Sequence, residues 1–252
     1  MAAARLSRDL DRRRREGAVL TATVRTVAET GSTNADMAEL ARNGASEGLW
    51  LRAERQSAGK GRQGRAWQSP PGNLYVSTLV RTRAGEPSPA TLALVAAVAL
   101  DETARVFGLA PMLKWPNDLL VDGAKLSGIL LERVGDAVIL GFGVNLAHHP
   151  GDLDRATTSF AAHGPAPDPQ LFAETLAESF ARWVSRWREG IAPVRERWLA
   201  RAHPPGTALT ARLADGTSLD GLFGGLDGEG ALILRLADGT SHVIHAADVF
   251  LL

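Results

Sequence analysis

Residues 89–100 read PATLALVAAVAL and close on Asp101. This is the longest near-continuous apolar run in the chain, and it falls short of the roughly 20 residues that span a bilayer. Extended to Phe107 it has helical length and an apolar face, and Gly108 is its stop. The chain around it alternates short β-branched runs with helical patterns, which points to a mixed α+β body. Of 252 residues, 45% are apolar, so a sizeable core is expected and wholesale disorder is not.

Strands are expected over residues 19–27, 49–53, 74–80, 112–115, 119–121, 128–134 and 137–144. Helices are expected over 35–42, 89–107, 169–188 and 194–202. Thr33 with Asp36 three residues on reads as a capping box at the start of the first helix. Trp183, Trp187 and Trp198 sit on amphipathic patterns and are expected in the core. The character changes after His203-Pro204-Pro205-Gly206, where short strands over 208–213, 219–226, 231–236, 242–244 and 249–251 suggest a small antiparallel barrel. The hexapeptide LADGTS occurs there twice, at 213–218 and 236–241, as one Asp-Gly hairpin solution used two times. The chain thus divides into a disordered basic N-terminus at 1–18, a body at 19–203 and a β module at 204–252.

Lys plus Arg and Asp plus Glu both number 28, and this neutral balance argues against a surface built wholly for nucleic acid or anionic lipid. The absence of cysteine removes disulfides, thiolate metal sites and a Cys nucleophile, and suits a reducing compartment such as the cytoplasm. The N-terminus MAAARLSRDLDRRRRE has no apolar stretch behind its charges, so no secretory signal is expected. Only Lys60, Lys114 and Lys125 are Lys in a chain that otherwise uses Arg. In that background a Lys hints at a need for a compact ammonium rather than a flat fork.

Three constellations carry chemistry. Arg55, Lys60, Arg62 and Arg65 alternate with Gly59, Gly61 and Gly64 and with no acid. Glycines let a backbone approach an anion, and the cations supply charge, which suits phosphate or carboxylate. A flexible basic surface loop, or a nucleic-acid patch with Trp67 as a stacking platform, reads the same residues as well. Second, Lys114-Trp115-Pro116-Asn117-Asp118 precedes Lys125, which a turn at Asp122-Gly123 brings back toward Asp118. That arrangement suits a magnesium–nucleotide site or a plain salt bridge. Third, Gly141 and Gly143 alternate in a strand ending at Asn145, which implies close approach of something to one face. Asn145 is suited to an adenine edge, and a packed sheet with an Asn-ended strand is the alternative.

Taken in order, GSTN at 31–34, AERQxxGKGRxGRxW at 53–67, KWPND at 114–118, KxxGIL at 125–130 and GVN at 143–145 resemble the biotin–protein ligases. The resemblance spans roughly residues 25–250. It implies a mixed-sheet catalytic domain related to the class II aminoacyl-tRNA synthetases and lipoate ligases, followed by a small SH3-like β-barrel. It also implies a two-step reaction with biotin, ATP and Mg²⁺. The biotin carboxylate attacks the α-phosphate, giving biotinyl-5′-AMP and pyrophosphate. A lysine of a biotin carboxyl carrier domain, such as that of acetyl-CoA carboxylase, then attacks the adenylate.

By the same resemblance, Ser32, Thr33, Asn34, Gln56, Lys60, Gly61, Arg62 and Lys125 hold biotin. Gly59, Arg62, Arg65, Trp67, Lys114, Asn117 and Asn145 serve ATP. Lys125 and Arg62 are the catalytic charges, and Asp118 is the Mg²⁺ partner. Relatives commonly carry Arg where this chain has Lys60, a change that keeps the charge and gives up the bidentate fork. Residues 1–18 leave no room for the N-terminal winged helix of those relatives that repress transcription, so a monofunctional ligase is expected, with neither specific DNA nor membrane as partner. A lipoate or octanoate ligase of the same superfamily is the alternative enzyme, and a nucleic-acid-binding regulator is the alternative of another class.

Overall fold

The computed structural model describes residues 23–153 and 155–251. The expected disordered N-terminus, 1–18, lies outside these residues. Seven strands form one mixed sheet in the order β1-β2-β3-β7-β6-β5-β4. In chain order they are β1 Thr23–Thr30, β2 Leu49–Gln56, β3 Leu74–Arg81, β4 Met112–Lys114, β5 Asp118–Val121, β6 Ala124–Val134 and β7 Ala137–Val144. β1 and β2 run parallel, joined by helix α1, Thr33–Arg42, and every other neighbouring pair is antiparallel. Asp122 and Gly123 both have positive φ, 50° and 79°, as a tight two-residue hairpin turn between β5 and β6 requires.

The sheet buries its two faces differently. Trp50, Val76, Leu140 and Phe142 point to one side, where α2, Leu92–Val106, and α3, Pro169–Glu189, cover them. Phe142 stacks on Trp50 at 5.7 Å, and Phe180 of α3 meets both rings edge-on at 5.6 and 5.9 Å. α2 is apolar nearly all round because α3 and α4, Ala192–Leu199, pack over its outer side. Its acids are paired: fully buried Asp101 accepts from Arg105 at 2.9 Å, and Glu102 accepts from the Trp183 indole at 2.9 Å. Trp187 and Trp198 are buried as expected. Asp168 caps α3 through the Leu171 amide at 2.8 Å, with Pro169 next, the arrangement that suits a helix start.

On the other face, Met37, Ala38 and Ala41 of α1 cover Leu49, Leu51, Leu79 and Ile139. A ten-residue helix is about 15 Å long, whereas seven strands about 4.8 Å apart spread over about 29 Å. Part of that face therefore has no helix: the first turn of α1 reaches Gly141 of β7 through Asn34, and Gly143 beyond it meets Trp67 instead. The expected capping box at α1 does not form. Ser32 is the N-cap and makes no side-chain cap bond, while Asp36 accepts instead from the Thr30 hydroxyl at 2.5 Å.

A second, five-stranded antiparallel sheet follows. Its strands are β8 Ala208–Arg212, β9 Ser218–Leu226, β10 Leu232–Arg235, β11 Ser241–Ile244 and β12 Asp248–Leu251, in the order β11-β10-β9-β8-β12. The two LADGTS segments make the same turn: Leu213 and Leu236 amides each donate to the following Thr carbonyl at 2.8 Å, with Gly216 and Gly239 at φ 88° and 86°. Leu209, Phe223 and Val249 of this sheet join the core of the first, and the Trp115 indole donates to the Gly230 carbonyl at 3.2 Å. Among the described residues no helix is long and apolar enough to cross a membrane.

Candidate active site between the two sheets

The sheet at and beyond the first turn of α1 forms one side, or floor, of a cavity to which residues 248–250 of β12 also contribute. Its glycines are spaces for side chains of the chain itself. A Cβ on Gly141 would lie 2.2 Å from the Asn34 amide oxygen, and one on Gly143 would lie 2.6 Å from the Trp67 ring. A Cβ on neighbouring Gly128 would meet Lys125 at 3.1 Å and Trp67 at 3.2 Å. The close approach that the alternating glycines imply is thus an approach by Asn34 and Trp67.

At one end the cavity is polar and neutral. Thr30 pairs with Gln56 in the parallel register, so the carboxyl ends of β1 and β2 lie side by side, the usual ligand edge of a parallel pair. The Thr33 amide donates to Gln56 Oε1 at 2.9 Å, and Gln56 Nε2 donates to Ser69 at 3.1 Å. Asn34 donates to Glu132 at 2.8 Å and accepts from Ser77 at 2.7 Å. Ser32, a buried residue, lines this end with its hydroxyl uncommitted to the α1 cap.

The glycine loop folds as a small hairpin over the floor. The Gly61 amide donates to the Arg65 carbonyl at 2.7 Å, and the Trp67 amide to the Gly59 carbonyl at 2.9 Å. Gly59 is required where it stands, since a Cβ there would lie 2.6 Å from Ser69 Oγ and 2.7 Å from the Trp67 carbonyl. Trp67 lies on the floor with Lys125 Nζ 5.6 Å from its ring centroid, and its buried indole N–H has no partner among the described residues.

The other end is cationic. Lys60, Arg62, Arg65, Lys114, Lys125 and Arg155 line the cavity against two acids, Asp118 and Asp248. Asp118 pairs with Lys125 across the β5–β6 hairpin and lies 4.0 Å from Lys114. The salt-bridge reading of this pair is therefore realised. Burial pushes both ammonium groups below the ordinary lysine range, with Asp118 opposing the shift. Arg62 donates to Asn117 Oδ1 at 3.4 Å and to the Ala247 carbonyl at 3.3 Å, and Asn117 donates to the Ile129 carbonyl at 2.6 Å. Asp248 binds Arg65 closely and stands 3.6 Å from Arg62.

Of the residues expected at the site, Ser32, Thr33, Asn34, Gln56, Lys60, Gly61, Arg62, Arg65, Trp67, Lys114, Asn117, Asp118 and Lys125 line this one cavity. Gly59 and Asn145 do not. Asn145 lies beneath it, donating to the Thr158 carbonyl at 2.9 Å and the Lys125 carbonyl at 3.5 Å, so its amide ties the Lys125 strand to the 156–158 segment. Sequence reasoning missed Arg155, Tyr75 and residues 248–250, which also line the cavity. No local pattern marks them, because only tertiary packing brings them there. Among the described residues no group of three or more His, Cys, Asp or Glu is placed to hold a metal ion.

The family model described as the Biotin/lipoate A/B protein ligase family matches residues 29–145, and that of the Biotin protein ligase C terminal domain matches residues 208–252. The chain belongs to the biotin/lipoate A/B protein ligase family. Among its relatives, a biotin–[acetyl-CoA-carboxylase] ligase of Paracoccus denitrificans is 43% identical over 89% of this chain and 98% of its own. A protein of the same name from Mycobacterium tuberculosis is 36% identical over 88% and 86%. The biotin protein ligase of Aquifex aeolicus, solved in complex with biotin and ATP, superposes with a TM-score of 0.82 over 91% of this chain and 99% of that one, and at 23% identity it speaks to the fold alone.

Proposed function

We propose that this protein is an ATP-dependent biotin–protein ligase that attaches biotin to a lysine of a biotin carboxyl carrier domain, such as that of acetyl-CoA carboxylase, in the cytoplasm. The observation that carries the reading is one cavity with a neutral hydrogen-bonding end and a cationic end, with Arg62 and Lys125 both in its wall. A carboxylate and a triphosphate repel each other, and bringing them together is the main obstacle to forming an adenylate. Six basic side chains against two acids supply the compensating field in a partly dry site.

In the first step a biotin carboxylate oxygen bonds to the α-phosphorus and pyrophosphate leaves. Ser32, Thr33, Asn34 and Gln56 hold the polar head of biotin, with Lys60 and Gly61 closing over it. Lys125 meets the carboxylate and α-phosphate, and Arg62 stabilises the charge developing on phosphorus. Arg65, Lys114 and Asn117 take the remaining phosphates, and Trp67 offers a ring face to the nucleotide. Gly59 and Asn145 support this wall from outside it. Mg²⁺ enters as the counter-ion of ATP. A single carboxylate, Asp118, flanked by two ammonium groups fits an ion that keeps its waters and phosphate ligands, not a resident metal. In the second step the carrier lysine amine attacks the acyl carbon, an amide forms and AMP leaves.

The purified protein with biotin, ATP and Mg²⁺ is expected to release pyrophosphate, and to transfer biotin when a carrier domain is added. Lipoate in place of biotin is expected to give neither. Lys125→Ala should lower pyrophosphate release by on the order of 10²–10³ while biotin still binds. Labelling by lipoate alone, or a wild-type rate in Lys125→Ala, contradicts this assignment.

A further inference from the structure

We infer, resting on the ligase reading above, that Arg155 is a further catalytic residue for adenylate formation: it holds the β- and γ-phosphates of ATP as they leave, and takes no part in the later transfer of biotin to the carrier.

Arg155 belongs to none of the motif segments, and backbone bonds bring it to the cavity. The Lys125 amide donates to the Ala156 carbonyl at 2.9 Å, and the Thr158 amide donates to the Lys125 carbonyl at 3.0 Å. These two bonds lay residues 156–158 parallel to the start of β6, with Thr157 opposite Lys125. Two residues before Thr157 stands Arg155, and it lines the same cavity as Lys125. The segment is pinned from several sides. Asn73 Oδ1 accepts from three successive amides, those of Leu146, Ala147 and His148, each at 2.9 Å, and fixes the chain as it leaves β7. The Thr157 hydroxyl donates to the Pro150 carbonyl, and the His149 and Ser159 side chains meet at 3.0 Å, which closes the neck of the excursion. An arginine carried on so anchored a stretch is in place before substrate arrives, as electrostatic catalysis requires.

The charges around Arg155 are unbalanced. Asp118 answers Lys125 and Lys114, while Asp248 is taken by Arg65 and Arg62. Among the described residues no carboxylate pairs with Arg155. Its charge acts against those of Lys114 and Lys125, adding to the burial that pushes both ammonium groups down. Like charges gathered in this way are relieved by a polyanion.

The order of exposure tells which part of ATP Arg155 meets. Lys125 is buried, Lys114 less so and Arg155 exposed, so the three cations run from the interior to the opening. In the first step a carboxylate oxygen bonds to the α-phosphorus at Lys125, and the α–β bridging P–O bond breaks with its electron pair going to pyrophosphate. The attacking and leaving oxygens stand roughly in line. The carboxylate comes from the neutral end, so pyrophosphate points the other way, toward the opening. There Arg155 offers its paired N–H donors to the charge gathering on the β-phosphate. In the second step pyrophosphate has gone, and Arg155 has nothing to hold.

The test uses the full chain with biotin, ATP and Mg²⁺. Arg155→Ala should lower kcat/KM for ATP, read as pyrophosphate release, about tenfold or more, and should weaken inhibition by added pyrophosphate by a similar factor. Biotin binding without ATP, and the single-turnover transfer of supplied biotinyl-5′-AMP to a carrier domain, should both stay within about twofold of the wild type. Arg155 is exposed, so the substitution leaves folding intact. Pyrophosphate release at the wild-type rate overturns the inference. So does an equal loss in both half-reactions, which marks Arg155 as a general support of the site. In either case a wild-type protein that releases pyrophosphate with biotin keeps the ligase reading, whereas a wild type that releases none overturns both.

Discussion

Gly141 and Gly143 stand one strand period apart on the same face, yet they make room for different side chains. Gly141→Ala drives a methyl into the Asn34 amide and should raise KM for biotin about tenfold or more while KM for ATP changes little. Gly143→Ala displaces Trp67 and should do the reverse. Initial rates with each substrate varied in turn separate the two; equal effects on both constants would mean that the floor is not divided in this way. Single residues also mark where the sequence stops being legible. That something lies close to this strand is readable from alternating glycines. That the something is Asn34 and Trp67 is not, because residues 34 and 67 reach the strand only through the course of α1 and the loop. Asn145 shows the converse: a carboxamide at a strand end looks like a reader of adenine, and its hydrogen bonds turn it into a tie between two stretches of backbone.

At the level of elements, the site exists because α1 is short. The helix covers Leu49, Leu51, Leu79 and Ile139 and leaves the rest of that face to the glycine loop. Precision of the floor depends on the opposite face, where the Trp50, Phe142 and Phe180 rings hold β2 and β7 against α3. Phe180→Ala should destabilise the protein by about 3–5 kcal/mol, read as a lower urea midpoint with an unchanged slope. A loss below about 1 kcal/mol would mean that the ring cluster does not hold this packing. Most strands and helices were readable from periodicity, since the two faces of the sheet impose it. Errors fall at ends: the Thr33–Asp36 capping box gives way to a Thr30–Asp36 bond, and β6 begins at Ala124, where a bulge between Leu119 and Leu120 lets Lys125 reach Asp118.

For the whole molecule, the notable contact is Asp248 of the second sheet holding Arg62 and Arg65 of the first sheet's loop. Nothing near Asp248 in the chain hints at this, because the partners are some 183 residues apart in sequence. The five motif segments were legible because each is local; the wall formed by residues 248–250 and Arg155 was not, because it arises only when the sheets pack. Arg65 is half exposed and Arg62 less so, so the tie is a modest one, of order 0.5–1 kcal/mol. Asp248→Asn should therefore lower amide hydrogen-exchange protection of residues 59–67 about two- to fivefold without ligand. Protection equal to that of the wild type would mean that the loop is held from below alone.

The cavity wall draws on positions from Ser32 to Phe250, on both sheets. Whatever fills it becomes a strut between bodies that otherwise share a core seam and a few polar ties. Its binding energy is then added to the cohesion of the entire chain, so occupancy and melting are coupled across the molecule, and neither sheet can come loose while the other keeps its guest.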